Sequence, residues 1–234
     1  MLVGHGSRDP RSAATLADLA RRAGWLCRPE PVRLAFLELA RPLLEDALAD
    51  LRGEVTVVPL LLGRAYHASV DLPGRLLANG AAGRAITLAD PLGPDPSLVG
   101  ALAGHAHGLA GADGFVLLAA GSGDAAANAR TAAVAAQVAA ATGRPVRHAF
   151  VSCRPGPERA VTALRADGVR RPAVLPYFLA PGRLLDAGLE RARAAGVAAA
   201  APPLATHPSL AGLVRDRARG ARPPAPALAA GVRD

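Results

Sequence analysis

Short apolar runs alternate with amphipathic Ala/Leu/Arg segments along most of this 234-residue chain. Runs such as VTVVPLLL and GFVLLAA are continuous, which is typical of strands buried on both faces of a parallel sheet. The pattern predicts strands at 1–4, 32–37, 54–61, 84–88, 114–120, 145–151, 171–178 and 196–200. It predicts helices at 10–23, 42–51, 67–79, 96–109, 124–141, 156–166, 183–194 and 208–218. This alternation favours an α/β fold of parallel sheets flanked by helices.

Proline positions support the predicted helix boundaries. Pro10, Pro42 and Pro96 stand at helix starts, where a missing N–H leaves no hydrogen bond unmade. Residues 219–234 are rich in Ala, Pro and Arg without a periodic pattern, so we expect a disordered tail there.

The chain repeats itself at a spacing of 114 to 117 residues. The matching pairs are LVGHGSRDPRSAA (2–14) with LAAGSGDAAANAR (118–130), AFLELARP (35–42) with AFVSCRP (149–155), and VVPLLLGRAYHASVD (57–71) with VLPYFLAPGRLLD (174–186). We therefore predict two tandem domains of one fold, at 1–110 and 111–218. Each would hold a sheet of about four parallel strands, and a pseudo-two-fold would relate them.

The formal charge of +8 invites a nucleic-acid function, because clustered basic residues neutralise phosphates. However, the 27 basic residues are all Arg and are scattered over many segments, and aromatic residues make up only 3% of the chain. Stacking platforms for bases are therefore scarce. We expect no nucleic-acid partner, and infer only that the charge attracts an acidic small molecule.

Missing sequence motifs limit the compartment and the redox chemistry that we expect for this chain. No run of about 18 apolar residues and no basic segment followed by an apolar one is found, so we expect a cytoplasmic protein without membrane contact. Cys27 and Cys153 share no C-x-x-C spacing, so neither a disulfide framework nor a thiolate zinc site is indicated.

Three side chains with metal-binding chemistry follow the first three predicted strands. His5 follows the first strand, Glu38 the second and His67 the third. The carboxyl ends of parallel strands share one edge of the sheet, where such folds bind ligands. Two imidazoles and a carboxylate meeting there would hold a divalent transition metal.

The second repeat has Ala120, Ser152 and Leu184 at the positions that match these three residues. A lone histidine at a strand end is usually structural, but a set of three that occurs in one copy only favours function. His105 and His107 lie two apart on a predicted helix and therefore on different faces, which disfavours chelation by that pair. His148 precedes a strand end and His207 precedes a helix, where capping or surface roles suffice.

Other site chemistries lack their motifs. The turns GHGS and AGSG match neither phosphate-loop pattern, so Ser7 is expected either to cap the next helix or to bind a substrate carboxylate. The G-x-S-x-G elbow of serine hydrolases is missing. A zinc hydrolase with an activated water stays open as an alternative, without an H-E-x-x-H motif in support.

The segments VGHGSRDP, AFLELARP and VPLLLGRAYHASVDLP together resemble those of the sirohydrochlorin chelatases, in the long form with two tandem domains, over residues 1 to 218. The resemblance implies a lyase that inserts cobalt or ferrous iron into sirohydrochlorin, for cobalamin or sirohaem biosynthesis. It places the metal site at His5, Glu38 and His67 of the N-terminal domain. The metal is then a substrate, and no prosthetic group is expected. A non-catalytic metal or tetrapyrrole carrier is the main alternative.

Roles within this site follow from the same resemblance. His5 would be a metal ligand and the better candidate to accept a pyrrole proton, since a neutral imidazole can do so at cellular pH. Glu38 would be a ligand or a charge-neutralising partner. Because sirohydrochlorin is rich in carboxylates, substrate binding is expected from Ser7, Arg8, Arg64, Tyr66 and Arg183. Two fused copies also suggest a monomer that contains its own pseudo-dimeric cleft.

Overall fold

The computed structural model describes residues 1–63, 72–79 and 84–221. Its strands are β1 (Leu2–Gly4), β2 (Leu34–Phe36), β3 (Gly53–Pro59), β4 (Arg84–Leu88), β5 (Gly114–Ala119), β6 (Val146–Phe150), β7 (Pro172–Pro176) and β8 (Ala199–Ala200). Its helices are α1 (Pro10–Leu26), α2 (Leu44–Ala49), α3 (Leu72–Asn79), α4 (Pro96–Gly108), α5 (Ala125–Thr142), α6 (Pro157–Ala166), α7 (Arg183–Ala194) and α8 (Ser209–Gly220). The predicted start of the third helix at 67–71 lies outside the described ranges. The predicted tail at 219–234 was wrong at its start, because Arg219 and Gly220 belong to α8; residues 222–234 lie outside the described ranges.

The strands form two four-stranded sheets in which every pair is parallel. The first sheet has the order β2-β1-β3-β4 and the second has the matching order β6-β5-β7-β8. This confirms the predicted fold class of two tandem α/β domains. In the first sheet, Leu2 of β1 pairs with Leu34 on one side and with Val58 on the other. The carboxyl ends of β1, β2 and β3 therefore lie side by side.

Local chemistry explains where α1 and α4 begin. The Asp9 and Asp95 side chains accept hydrogen bonds from the first turns of α1 and α4, and a proline follows each of them. Pro42 is different, because its carbonyl accepts a hydrogen bond from Phe36 N (2.9 Å) and so closes the loop after β2. The helix that we predicted to begin at Pro42 therefore begins two residues later, at Leu44.

The two halves pack through two pairs of helices, and the pseudo-two-fold relates one pair to the other. Helix α1 contacts α8, and α4 contacts α5 in the matching way. One apolar cluster includes Leu19 and Leu102 of the first half with Phe115 and Val214 of the second. Burial of these side chains stabilises the joint.

A buried tyrosine also ties the second domain to the first. Tyr177 donates a hydrogen bond to the Leu62 carbonyl (3.1 Å), and burial raises the pKa of this phenol to about 12. The hydroxyl therefore remains a neutral donor at neutral pH. Among the described helices, none is both long and apolar enough to cross a lipid bilayer.

Two histidines meet where the halves join. The rings of His105 on α4 and His207 before α8 lie 5.1 Å apart, edge to face. His207 Nδ1 accepts a hydrogen bond from Ser209 N (3.3 Å), which requires the ring to be neutral there. The pKa of His105 is lowered by burial and by His207, and the pKa of His207 is lowered by burial and by the Arg22 charge. Protonation of this pair is therefore unfavourable in the folded chain.

We expect the free energy of unfolding to decrease as the pH falls below about 6.5, the ordinary histidine value, because the unfolded chain takes up these protons first. Urea unfolding at pH 7.5 and pH 5.5 measures the loss. The double variant His105→Gln/His207→Gln should lose less stability between the two pH values than the wild type, whereas His107→Gln, at an exposed site on α4, should lose as much. An unchanged loss in the double variant would contradict the assignment.

Candidate metal centre

The turn after β1 brings its backbone into contact with the end of β2. Leu37 N donates to Gly4 O (2.9 Å), and Glu38 N donates to His5 O (3.0 Å). Gly6 has φ +102°, and a Cβ built on it would lie 1.6 Å from the Glu38 carbonyl oxygen. Only glycine accommodates both this conformation and this approach. The sequence Gly-His-Gly thus fixes where His5 leaves the sheet.

His5 and Glu38 face each other across this contact. His5 Nδ1 lies 3.3 Å from Glu38 Oε1, and the side chains are 41% and 52% exposed. Metal bonds of about 2.1 Å that meet at 90 to 110° place two donor atoms about 3.0 to 3.4 Å apart, so the pair can share one ion. The same spacing also allows a proton on Nδ1 to interact with the carboxylate, which would leave Nε2 for the metal. In both arrangements the two groups act on one ion at an edge open to solvent.

The expected third donor, His67, lies outside the described residues, as do Arg64 and Tyr66. The end of β3 lies at the same sheet edge as His5, because Leu60 N, directly after this strand, donates a hydrogen bond to Val3 O of β1 (2.8 Å). Among residues 1–63, 72–79 and 84–221, no group of three His, Cys, Asp or Glu side chains is arranged to hold a metal. The described part of the site is therefore the pair His5 and Glu38.

Ser7 and Arg8 occupy the turn between His5 and α1. Ser7 Oγ accepts a hydrogen bond from Asp9 N (3.1 Å), which orders the turn before α1, but the N-cap of the helix is Asp9 and not Ser7. Asp9 in turn caps α1, and hydrogen bonds from the Arg11 side chain hold the pKa of Asp9 below its ordinary value. Arg8 is exposed and forms no ion pair with any described residue. Its charge is therefore available to an anionic ligand.

The second domain borders the same edge. An ion pair between Arg11 and Asp186 joins the start of α1 to the first turn of α7. A Cβ built on Gly182 would lie 3.8 Å from Ser7 Oγ. The structure therefore places Arg183, which is exposed at the first residue of α7, beside the turn that carries His5. Sequence reasoning missed the Arg11–Asp186 pair, because no motif marks an ion pair between distant helices.

The second half preserves the scaffold of this turn without its chemistry. Ser152 N donates to Ala120 O (2.9 Å), which is the same backbone contact that Glu38 makes with His5. The Ser152 hydroxyl also donates to Ala120 O (2.8 Å) and so is satisfied within its own domain. Equivalent backbone positions thus carry His and Glu in one half, and Ala and Ser in the other. Folding alone does not require the histidine and the carboxylate.

Comparison with known proteins points to one family. A family model described as CbiX matches residues 1–107 and, a second time, residues 114–221. The sirohydrochlorin cobaltochelatase of Methanothermobacter thermautotrophicus is 30% identical over 122 residues, which cover 42% of this chain and 82% of that protein. The protein of the same name from Methanosarcina acetivorans is 30% identical over 80 residues, which cover 32% of this chain and 62% of that one.

Solved structures share the architecture. SirB from Bacillus subtilis with Fe3+ superposes with a TM-score of 0.76 at 23% identity, over 93% of this chain and 92% of that chain. SirB from Bacillus subtilis subspecies spizizenii in complex with cobalt gives 0.75 at 22% identity, over the same shares. The structure of CbiX described as the terminal enzyme for biosynthesis of siroheme in denitrifying bacteria gives 0.71 at 24% identity, over 93% and 97%. At these identities the likeness shows the fold.

Proposed function

The chain belongs to the CbiX family, and from that premise we propose that it is a chelatase that inserts divalent cobalt or iron into sirohydrochlorin. The observation that carries the proposal is the approach of His5 Nδ1 to Glu38 Oε1 at an open sheet edge, in only one of two equivalent domains. Two relatives that are each 30% identical over the aligned residues bear the name sirohydrochlorin cobaltochelatase.

The reaction exchanges one divalent ion for two pyrrole protons. His5 and Glu38 would contribute both to holding the ion and to removing a proton. A carboxylate and an imidazole, with His67 as the proposed third donor, hold the ion while positions stay open for the ring nitrogens. The metal must then leave the protein, and exposed ligands on a small site favour release over tight storage. We assign acceptance of one pyrrole proton to the His5 ring nitrogen that the departing metal frees, and the second proton would pass to solvent at the exposed edge.

Carboxylates on the substrate would account for the exposed arginines Arg8 and Arg183 that border the site. We propose that Arg8 and Arg183 bind substrate carboxylates from the two sides of the edge, with Arg64, Tyr66 and Ser7 as further substrate contacts. For Ser7 the contact would come from a hydroxyl whose oxygen already accepts from Asp9 N. The ion pairs would be charge-assisted and solvent-exposed, so each contributes modestly to binding.

Metal insertion is measured directly by the change in visible absorption of sirohydrochlorin. The protein should accelerate the change with Co2+, and with Fe2+ in the absence of oxygen, above the rate of the metal and tetrapyrrole alone. Binding of metal or tetrapyrrole with no acceleration would contradict the proposal and favour a carrier.

Removal of either arginine should weaken substrate binding more than turnover. For Arg8→Ala and Arg183→Ala we expect KM for sirohydrochlorin to rise about three-fold to ten-fold, because each loses one charge-assisted contact. The value of kcat should change by less than about two-fold, since the chemistry at the metal pair is untouched. Arg170→Ala, at an exposed position remote from the site, is the matched control. Equal KM values in all three variants would rule out these contacts.

A further inference from the structure

Leu39, directly after Glu38, combines two features that are unfavourable for folding. It is the non-glycine residue with positive φ (60°) within the described residues. Leucine rarely adopts this left-handed conformation, because its Cβ crowds the backbone. Its side chain is also 46% exposed. Strained backbone persists where the surrounding structure enforces it, and such positions cluster at functional sites.

The loop that contains Leu39, after β2, is one residue longer than the matching loop after β6 in the second half. In both halves one backbone hydrogen bond closes the loop, from Phe36 N to Pro42 O and from Phe150 N to Pro155 O. Five residues separate the bonded partners in the first half, and four separate them in the second. The first half takes up its extra residue in a three-residue turn centred on Leu39, in which Ala40 N donates to Glu38 O (2.7 Å). The scaffold therefore closes without this residue.

A second exposed leucine borders the same edge from the other half. Leu184 lies in the first turn of α7 and is 43% exposed. It follows Gly182, which approaches Ser7 Oγ, by two residues. Among the described large apolar side chains, Trp25, Leu26, Leu39 and Leu184 are the strongly exposed ones. Two of these four flank the edge that carries His5 and Glu38.

We propose that Leu39 is a substrate-contact residue that packs on an apolar face of the tetrapyrrole ring beside the metal pair, with Leu184 as the contact from the second domain. The inference rests on the proposed function, since the ring is the occupant. A conjugated macrocycle has flat apolar faces and a charged rim, which suits leucines inside a border of arginines. Removal of water from a leucine and a ring face favours binding. The fixed turn presents this side chain before the substrate arrives.

The test separates contact from stability. Leu39→Gly removes the side chain and fits a positive φ, so the melting temperature should stay within about 2 °C of the wild type or rise. At saturating Co2+, KM for sirohydrochlorin should rise about ten-fold with kcat within two-fold, because a buried apolar contact made before and during reaction is lost. Leu39→Met, which restores an apolar side chain, should bring KM back to within about three-fold of the wild type.

Leu184→Ala should also raise KM, whereas Leu26→Ala should leave it unchanged. The two leucines are both helical and similarly exposed, at 43% and 42%, so Leu26→Ala is the matched control. Fluorescence titration of metal-free sirohydrochlorin should give the same ranking of dissociation constants.

The outcomes are distinguishable. If the wild type neither binds sirohydrochlorin nor accelerates its metallation, the proposed function fails. If the wild type is active and KM is unchanged in Leu39→Gly and Leu184→Ala, the present inference fails while the function stands. A lower melting temperature of Leu39→Gly at unchanged KM would assign the turn a purely structural role and would also overturn the inference.

Discussion

Replacement of His5 by alanine should lower kcat/KM for metal insertion at least about 100-fold, because the variant loses the proposed metal donor and the proposed proton acceptor together. The imidazole is 41% exposed, and its Nδ1 lies 3.3 Å from Glu38 Oε1. Few packing contacts are lost with it, so the melting temperature should change little. The measurement is the initial rate of the absorption change at several Co2+ and sirohydrochlorin concentrations.

The control for this prediction is His107→Ala, which removes an exposed imidazole of α4 and should retain full activity. Glu38→Gln should fall between the two, because the amide keeps the shape and an acceptor oxygen but loses the charge that a divalent ion requires. Activity of His5→Ala within about three-fold of the wild type would exclude His5 from the reaction.

Gly6→Ala should both destabilise the protein and abolish activity. The added methyl group would lie 1.6 Å from the Glu38 carbonyl oxygen, which is backbone and cannot rotate aside. The ends of β1 and β2 must therefore separate, and His5 must move away from Glu38. Together with the strain of alanine at φ +102°, we expect a loss of about 3 kcal/mol or more in the free energy of unfolding. Urea unfolding and the insertion assay measure the two effects.

Alanine variants of two other glycines distinguish backbone strain from the contact with Glu38 as causes of the lost stability. Gly53 has φ +77° with no atom within 4 Å of the added Cβ, so Gly53→Ala shows the backbone strain alone, about 1 kcal/mol. Gly121 is the equivalent of Gly6 in the second half, with side-chain atoms 2.8 and 2.9 Å from its added Cβ. Gly121→Ala should reduce stability but retain kcat. If Gly6→Ala loses no more stability than Gly53→Ala, the contact between the two turns is not as described.

Much of the fold could be predicted because its signals are local. Continuous apolar strands, helical periodicity, and an aspartate followed by proline at the starts of α1 and α4 each report on a few neighbouring residues. The repeat then supplied the long-range information, because two copies of one pattern imply two copies of one sheet. The helix start predicted at Pro42 was wrong because Phe36 N donates a hydrogen bond to the Pro42 carbonyl. This contact joins two segments, and the preference of proline for helix starts gives no information about it.

The site could be predicted in part, for the same reason. Parallel strands bring their carboxyl ends to one edge, so His5 and Glu38 could be placed together from order along the chain alone. The conformation of Leu39 could not be predicted, since the sequence ELAR gives no sign of a positive φ. Nor could the His105–His207 contact, because it depends on how the second domain packs on α4.

The most direct test of the account is a crystal structure of the protein soaked with Co2+, with anomalous data that locate the ion. We predict one cobalt at the carboxyl edge of the first sheet, bound by His5, with Glu38 either a second ligand or in contact with the His5 ring, and with His67 as the third proposed ligand. Cobalt bound elsewhere with this edge empty, or a cobalt that His5 does not touch, would contradict it.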